Sequence, residues 1–308
     1  MDALSQVLET IKLKGVVYDK RVLSAPWGLD IPQNESSQFW RLLKGTCFLQ
    51  VPGEPLLEMK EGDLVFVPHG AAHWIADRPG SRRISSLEYR KARDSGNPLF
   101  TGDGDTSILI GGHFEFDIRP AHPFLTDLPP IIHIDRFDSE VRSWLQQTVH
   151  LMAEEAGREK PGSTVILGRL AEIAFVYLIR AYLEKADDAK GFLLALKDER
   201  ISKVLKLMQA FPEREWTLEL LSSSAGMSRS LFCTEFKKMV GETPLSYLTN
   251  WRIIRAKEIL STSRDNICDV AIEVGYQSEA AFNRIYKKKT GQTPAGFRRA
   301  QLKNSDRS

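Results

Sequence analysis

A chain of 308 residues is longer than one small core needs, and two domains are the first expectation. The composition, 42% hydrophobic and 27% charged, excludes extended disorder, and no apolar run approaches the roughly 18 residues that span a bilayer. The net charge of +2 divides unevenly: residues 197–308 hold 20 Lys and Arg against 13 Asp and Glu, so +7 there stands against −5 over residues 1–196, an asymmetry that suggests one end meets a polyanion.

In chain order, the opening MDALSQVLETIKLKG lacks the charged-then-apolar plan of a secretory signal, so the expected location is cytoplasmic, with no membrane partner. Residues 15–135 carry short β-like runs, such as Phe39–Val51 and Asp63–Val67, broken by Gly and Pro. They predict an all-β barrel or sandwich. Cys47, Cys233 and Cys268 are far apart and odd in number, which predicts packed thiols rather than a disulfide framework or metal knuckle. The run from Gly62 to His73, with Pro68 and Gly70 between them, resembles the second cupin motif, GxxxxxPxGxxH, whose His would point into the barrel mouth. A metal-binding cupin enzyme would also need HxH and a Glu from an upstream motif, since imidazoles are what suit Zn, Fe, Ni or Cu. Residues 33–51 contain no His, and Glu35 is their only acid. The expected barrel therefore has no cofactor, no metal and no catalytic residue, and His73, Trp40 and His113 are its candidate ligand contacts.

Val141–Met152 and Thr164–Leu183 are helical by period and flank the polar turn GREKPGS. The second is apolar on several faces, through Val165, Ile166, Leu170, Ile173, Ala174, Phe175, Leu178 and Ile179, so it needs partners. It buries itself on the barrel and its sister helix, or it pairs with another chain.

The strongest signal is an internal repeat. Phe232 precedes Gly241-Glu242-Thr243-Pro244 by nine residues, Phe282 precedes Gly291-Gln292-Thr293-Pro294 by nine, and Phe236, Lys237 and Lys238 match Tyr286, Lys287 and Lys288 at the same offset of fifty. Each copy reads as helix, turn, helix. In the first, Leu218, Leu221 and Ala225 form a stripe, Gly226 stops it, and Ser228 caps a helix with Leu231, Phe232 and Phe236 inward. In the second, Val270, Ala271 and Val274 precede Gly275, and Ser278 caps a helix with Ala281, Phe282, Ile285 and Tyr286 inward. Two short helices about a Gly-containing turn are the DNA-binding helix-turn-helix plan. The outward residues suit base edges and phosphates: Arg229, Ser230, Thr234, Lys237 and Lys238 in one copy, Glu279, Asn283, Arg284, Lys287 and Lys288 in the other. Between the copies, Leu245–Leu260 has no Gly or Pro and should be one helix of about 24 Å, near the ~34 Å of one DNA turn.

Ala225-Gly226-Met227-Ser228-Arg229-Ser230, the GETP and GQTP turns, Trp251-Arg252 and Ala271–Tyr276 resemble the AraC/XylS family over roughly residues 203–300. The resemblance implies a transcription regulator, most often an activator, with recognition helices at about 228–240 and 278–290. Leu109–Phe116 with Leu128–His133 is similar to the cupin sensors of one AraC-type subgroup, whose members commonly carry Cys where Gly111 stands. The expected fold is multidomain α+β. A cupin-like sensor occupies 1–137, a helical connector with a possible homodimer role 138–196, and an all-α domain 197–302 with helix-turn-helix units near 217–240 and 266–290. The expected partners are a double-stranded promoter site, a small-molecule effector of unknown identity, RNA polymerase and a second copy of the chain. A metal-dependent cupin enzyme fused to a DNA-binding domain is the alternative.

Overall fold

A computed structural model describes residues 2–10, 13–116, 123–135, 140–156, 160–185 and 191–305. The expected boundary at 137 and residues 157–159 of the expected polar turn lie outside the described residues. Helix α1 (Ala3–Thr10) is followed by strands β1 (Lys14–Ser24), β2 (Gly28–Ile31), β3 (Ser37–Lys44), β4 (Thr46–Gln50), β5 (Leu57–Lys60), β6 (Leu64–Val67), β7 (His73–Ala76) and β8 (Ile84–Ser85). Helix α2 (Ser86–Asp94), strand β9 (Thr106–Glu115), helix α3 (Pro123–Thr126) and strand β10 (Ile132–Ile134) come next. The helices that follow are α4 (Glu140–Glu155), α5 (Ser163–Lys185), α6 (Gly191–Lys197), α7 (Glu199–Ala210), α8 (Leu218–Ser224), α9 (Arg229–Val240), α10 (Pro244–Thr262), α11 (Ile267–Glu273), α12 (Glu279–Thr290) and α13 (Pro294–Ser305). Among the described residues, no helix is long and apolar enough to cross a membrane.

Two compact units result. The first joins Leu13–Asp117 to Leu128–Asp188, and the second joins Met1–Lys12, Ile118–Asp127 and Ala189–Ser308. In the first, two five-stranded sheets, ordered β1-β9-β3-β6-β10 and β5-β4-β7-β2-β8, enclose one interior. Trp40, Leu42, Val65, Val67 and Leu109 from one sheet meet Leu29, Ile31, Leu49, Met59 and Ile75 from the other. Strand β4 buries Cys47 and Leu49 and leaves Thr46 exposed, the period of two expected of a half-buried strand. Strand β6, by contrast, is buried at all four positions, because its second face is covered too. That cover is α5. Its Phe175 stands 5.6 Å from Phe66 and 5.0 Å from Phe114, ring to ring, and α4 lies along it. The apolar connector helix thus buries one side on the barrel and its sister. Val165, Ile166 and Ile173 remain on its exposed side. Of the three thiols only Cys47 is packed as expected, and burial pushes it up in pKa; Cys233 is half-buried and Cys268 exposed.

The second unit is helical and is built from capped short helices. Thr217 accepts from the Leu220 N–H at the start of α8, Ser228 from Leu231 at α9, Asn266 from Asp269 at α11 and Ser278 from Ala281 at α12. Helix α10 starts with Pro244 behind Thr243 and runs 19 residues, longer than the expected span by a residue or two at each end. Helix α1 belongs here. Its Ala3 and Val7, one turn apart and buried, pack on α7 and α10.

Candidate nucleic-acid interface

Each repeat is a small aromatic core with a helix laid across it. In the first, Phe232 and Phe236 of α9 pack ring against ring at 5.5 Å, and Phe236 meets Tyr247 of α10 at 6.0 Å. In the second, Phe282 and Tyr286 of α12 pair at 5.5 Å, with Tyr276 at 5.4 Å from Phe282, and Val270 and Ala271 of α11 and its C-cap Val274 belong to the same core. Such a core is what fixes each second helix relative to its first. The two copies differ in their turns. Helices α8 and α11 are offset by 49 residues, whereas the caps Ser228 and Ser278 are offset by 50, so the second turn is one residue longer.

Helical spacing then decides which side chains face outward. On α9 the buried set is Phe232, Phe236, Met239 and Val240, which leaves Ser230, Leu231, Thr234, Lys237 and Lys238 on the exposed stripe. Leu231 was expected inward and is 48% exposed, because one residue before Phe232 is a swing of about 100° away from the core. Arg229 is exposed but engaged: its guanidinium pairs with the Glu219 carboxylate of α8 at 2.7 Å. That carboxylate is held low by its own backbone N–H and by Arg229. The Thr234 hydroxyl donates to the Ser230 carbonyl at 3.0 Å, which leaves its lone pairs and methyl outward. Lys238 lies 4.0 Å from Glu235.

On α12, Phe282 and Tyr286 are buried, and Ala280, Arg284, Lys287 and Lys288 occupy the positions of Ser230, Thr234, Lys237 and Lys238. Asn283 sits half-buried on the flank, where its amide donates to the Glu279 carboxylate at 3.3 Å. Ala281 and Ile285, expected inward, are half-buried. Among the described residues, Arg284, Lys287 and Lys288 form no ion pair. Lys289 is a third exposed cation at this end, missed from sequence because its partner position in the first copy is Met239. The two helices therefore present faces that match in their last turns, where both carry exposed lysines, and differ in their first. A cationic last turn also matches the negative helix end. The arrangement is suited to a groove wall of phosphates around a strip of base edges.

The barrel residues take a different form. Trp40 is buried, and its indole N–H donates to His73 Nε2 at 2.9 Å, while His73 Nδ1–H donates to the Ala71 carbonyl at 2.8 Å. Burial holds the His73 imidazole below its ordinary pKa, outweighing the Ala71 bond. Both ring nitrogens are thus engaged, and the lone pair a metal would take already accepts a proton. Among the described residues, no group of three His, Cys, Asp or Glu side chains is placed to hold a metal ion. The donor set does not fit a metal-dependent cupin. Gly111 faces Trp40 across β3 and β9, and a Cβ built there would lie 2.6 Å from the indole ring, so its missing side chain makes room for Trp40. Arg21 is buried on the same wall, its guanidinium 5.0 Å from the Trp40 ring centre and 5.4 Å from that of Tyr89. His113, two residues past Gly111 on β9, is hydrogen-bonded to Glu115 at 3.0 Å.

A pH dependence follows. An unfolded chain protonates His73 near pH 6.5 and the folded barrel only below that, so its stability is complete above 6.5 and falls as the pH drops beneath it. Thermal melts between pH 7.5 and 5.5 should show this loss, and His73→Gln, which keeps an acceptor for Trp40, should lessen it. An unchanged slope in that variant would assign the loss to other groups.

A family model described as a cupin matches residues 2–184, and one described as a helix-turn-helix domain matches residues 221–300. The HTH-type transcriptional regulator AlkR of Acinetobacter baylyi is 30% identical over 97% of this chain and 99% of its own. The RCS-specific HTH-type transcriptional activator RclR of Escherichia coli is 26% identical, covering 97% of each chain. A crystal structure of the DNA-binding domain of AdpA in complex with a target DNA is similar over 34% of this chain and 95% of that one, with 27% identity and a TM-score of 0.33. With the cupin model covering more than half of the chain, and with AlkR and a putative AraC-like transcription regulator of Streptomyces lividans, 31% identical, each matching 97% of it, the chain belongs to the AraC-type family of cupin-bearing helix-turn-helix proteins, and it is a DNA-binding transcription regulator rather than an enzyme.

Proposed function

We propose that the protein activates transcription by reading two successive major grooves of a promoter site with α9 and α12, under the control of a small molecule sensed by the barrel. The observation that carries this reading is the matched pair of capped helices, each presenting its lysines at the same end of its exposed stripe. Arg229, Thr234, Asn283 and Arg284 are assigned to base edges, and Lys237, Lys238, Lys287 and Lys288 to phosphates. Ser228 and Ser278 set the entry of each helix, and Ser230 and Glu279 line its first turn. Helix α10, with 19 residues, spans about 29 Å, which suits readers spaced near one DNA turn.

The effector site is assigned to the Trp40–His73 wall of the barrel, with His113 at its margin. A ligand changes the regulator only to the extent that it binds two states unequally, and the Trp40–His73 bond is a contact that ligand entry would break. The functional division is a sensor over 1–137, a connector over 138–196 and a reader over 197–302. The connector is also the proposed homodimer surface, since Trp144, Leu151, Val165, Ile166 and Ile173 stay exposed along α4 and α5. Location in the cytoplasm and contact with RNA polymerase complete the proposal, and RclR, named an activator, supports its sign.

Run-off transcription tests it, using a promoter that carries a site selected by the protein itself. More transcript with protein, and no change when the site is scrambled, is the expected result. Less transcript would make the protein a repressor, and an unchanged level on an occupied site would overturn the promoter reading.

A further inference from the structure

We infer that Leu231 reads the C5 methyl group of a thymine in the half-site under α9. The inference rests on α9 being a recognition helix and goes beyond it by naming the base feature recognised. Leu231 is a large apolar side chain, 48% exposed, on a stripe otherwise made of Ser230, Thr234, Lys237 and Lys238. Three and seven residues separate it from Thr234 and Lys238, so it lies on their face of the helix. It also belongs to the first turn, the part of a reading helix whose side chains meet base edges.

Reach decides the matter further. Of the exposed first-turn residues, Ser228 is occupied in the cap, Ser230 is short, and Arg229 is drawn aside to Glu219 at 2.7 Å. Leu231 is the side chain that extends outward without a polar partner to hold it. A leucine forms no hydrogen bond, and in the major groove the apolar mark is the thymine methyl, which no other base pair edge carries. The matching position of α12 is Ala281, shorter and half-buried. The two half-sites are therefore unequal: the block under α9 requires a thymine methyl that the block under α12 does not.

The test replaces each thymine of a selected site, one at a time, by deoxyuridine, which removes only the methyl. Binding of the full-length protein and of Leu231→Ala is measured at one stated salt concentration, beside a scrambled duplex. One deoxyuridine in the α9 block should weaken the unaltered protein about fourfold, the worth of one buried methyl group, and should leave Leu231→Ala unaffected. The inference is overturned if sequence-selective binding is kept at every deoxyuridine, if the α9 block contains no thymine, or if Leu231→Ala retains the penalty. Equal binding to the scrambled duplex would instead remove the recognition-helix reading itself, and this inference with it. The deoxyuridine series on the unaltered protein decides the point even where the variant folds poorly.

Discussion

Arg284→Ala is expected to relax the base preference at one position of the site and to cost about 1–3 kcal/mol of binding to the preferred sequence. Arg284 occupies the centre of the exposed face of α12, opposite buried Phe282 and Tyr286, and is free of carboxylate partners among the described residues. Its guanidinium is therefore available for bidentate contact with a guanine. Arg229, its counterpart only in residue type, begins from an ion pair with Glu219 and must give that up to reach a base, so Arg229→Ala should cost less. Lys287→Ala should behave differently from both. It weakens every sequence alike and lowers the slope of log affinity against log salt by about one, as the loss of a phosphate contact does. Titrations of preferred and scrambled duplexes at several salt concentrations separate the two patterns. Equal losses on both duplexes for Arg284→Ala would take it out of the base-reading set.

The second large effect concerns the turn glycines, which look interchangeable in sequence and are not. Gly226 and Gly275 both lie at positive φ, +64° and +89°, where an added side chain is strained by about 1 kcal/mol. Around Gly226 there is open space. A Cβ on Gly275 would stand 2.7 Å from both Arg252 Nη2 and the Pro212 carbonyl oxygen, and 2.8 Å from the Glu213 Cα. Those groups are held together: Arg252 donates to the Pro212 carbonyl at 2.7 Å and to the Arg214 carbonyl at 3.0 Å, with its guanidinium 5.6 Å from the Tyr276 ring centre. The Cβ would have to displace backbone and break this clamp, at a further cost of about 1–3 kcal/mol. Gly226→Ala should thus lose about 1 kcal/mol and Gly275→Ala about 2–4 kcal/mol in urea unfolding followed by helical circular dichroism. Comparable losses would mean that the Arg252 clamp yields without cost.

Local chemistry made the reader legible in the sequence. Ser228 and Ser278 cap the helices as expected because a cap depends only on the residue and its next three neighbours. The aromatic pairs Phe232–Phe236 and Phe282–Tyr286 follow from a spacing of four. Leu231 lies outward despite its hydrophobicity, because a helix with two buried aromatics already has its inward stripe. The Glu219–Arg229 pair joins residues ten apart on two helices and has no periodic signature. Likewise α1 docks on α7 and α10, but an apolar stripe that includes buried Ala3 and Val7 does not disclose which helix it packs on. In the barrel, the cupin spacing pointed to His73, but its bond to Trp40 depends on strands whose register the sequence does not disclose.

In-vitro selection of random duplex DNA by the purified full-length protein, at stated salt and with the bound pool sequenced, tests the tandem-reader claim most directly. Two short enriched blocks about one helical turn apart are the predicted result. A single enriched block, or two whose spacing varies freely, would contradict a pair of readers held by α10.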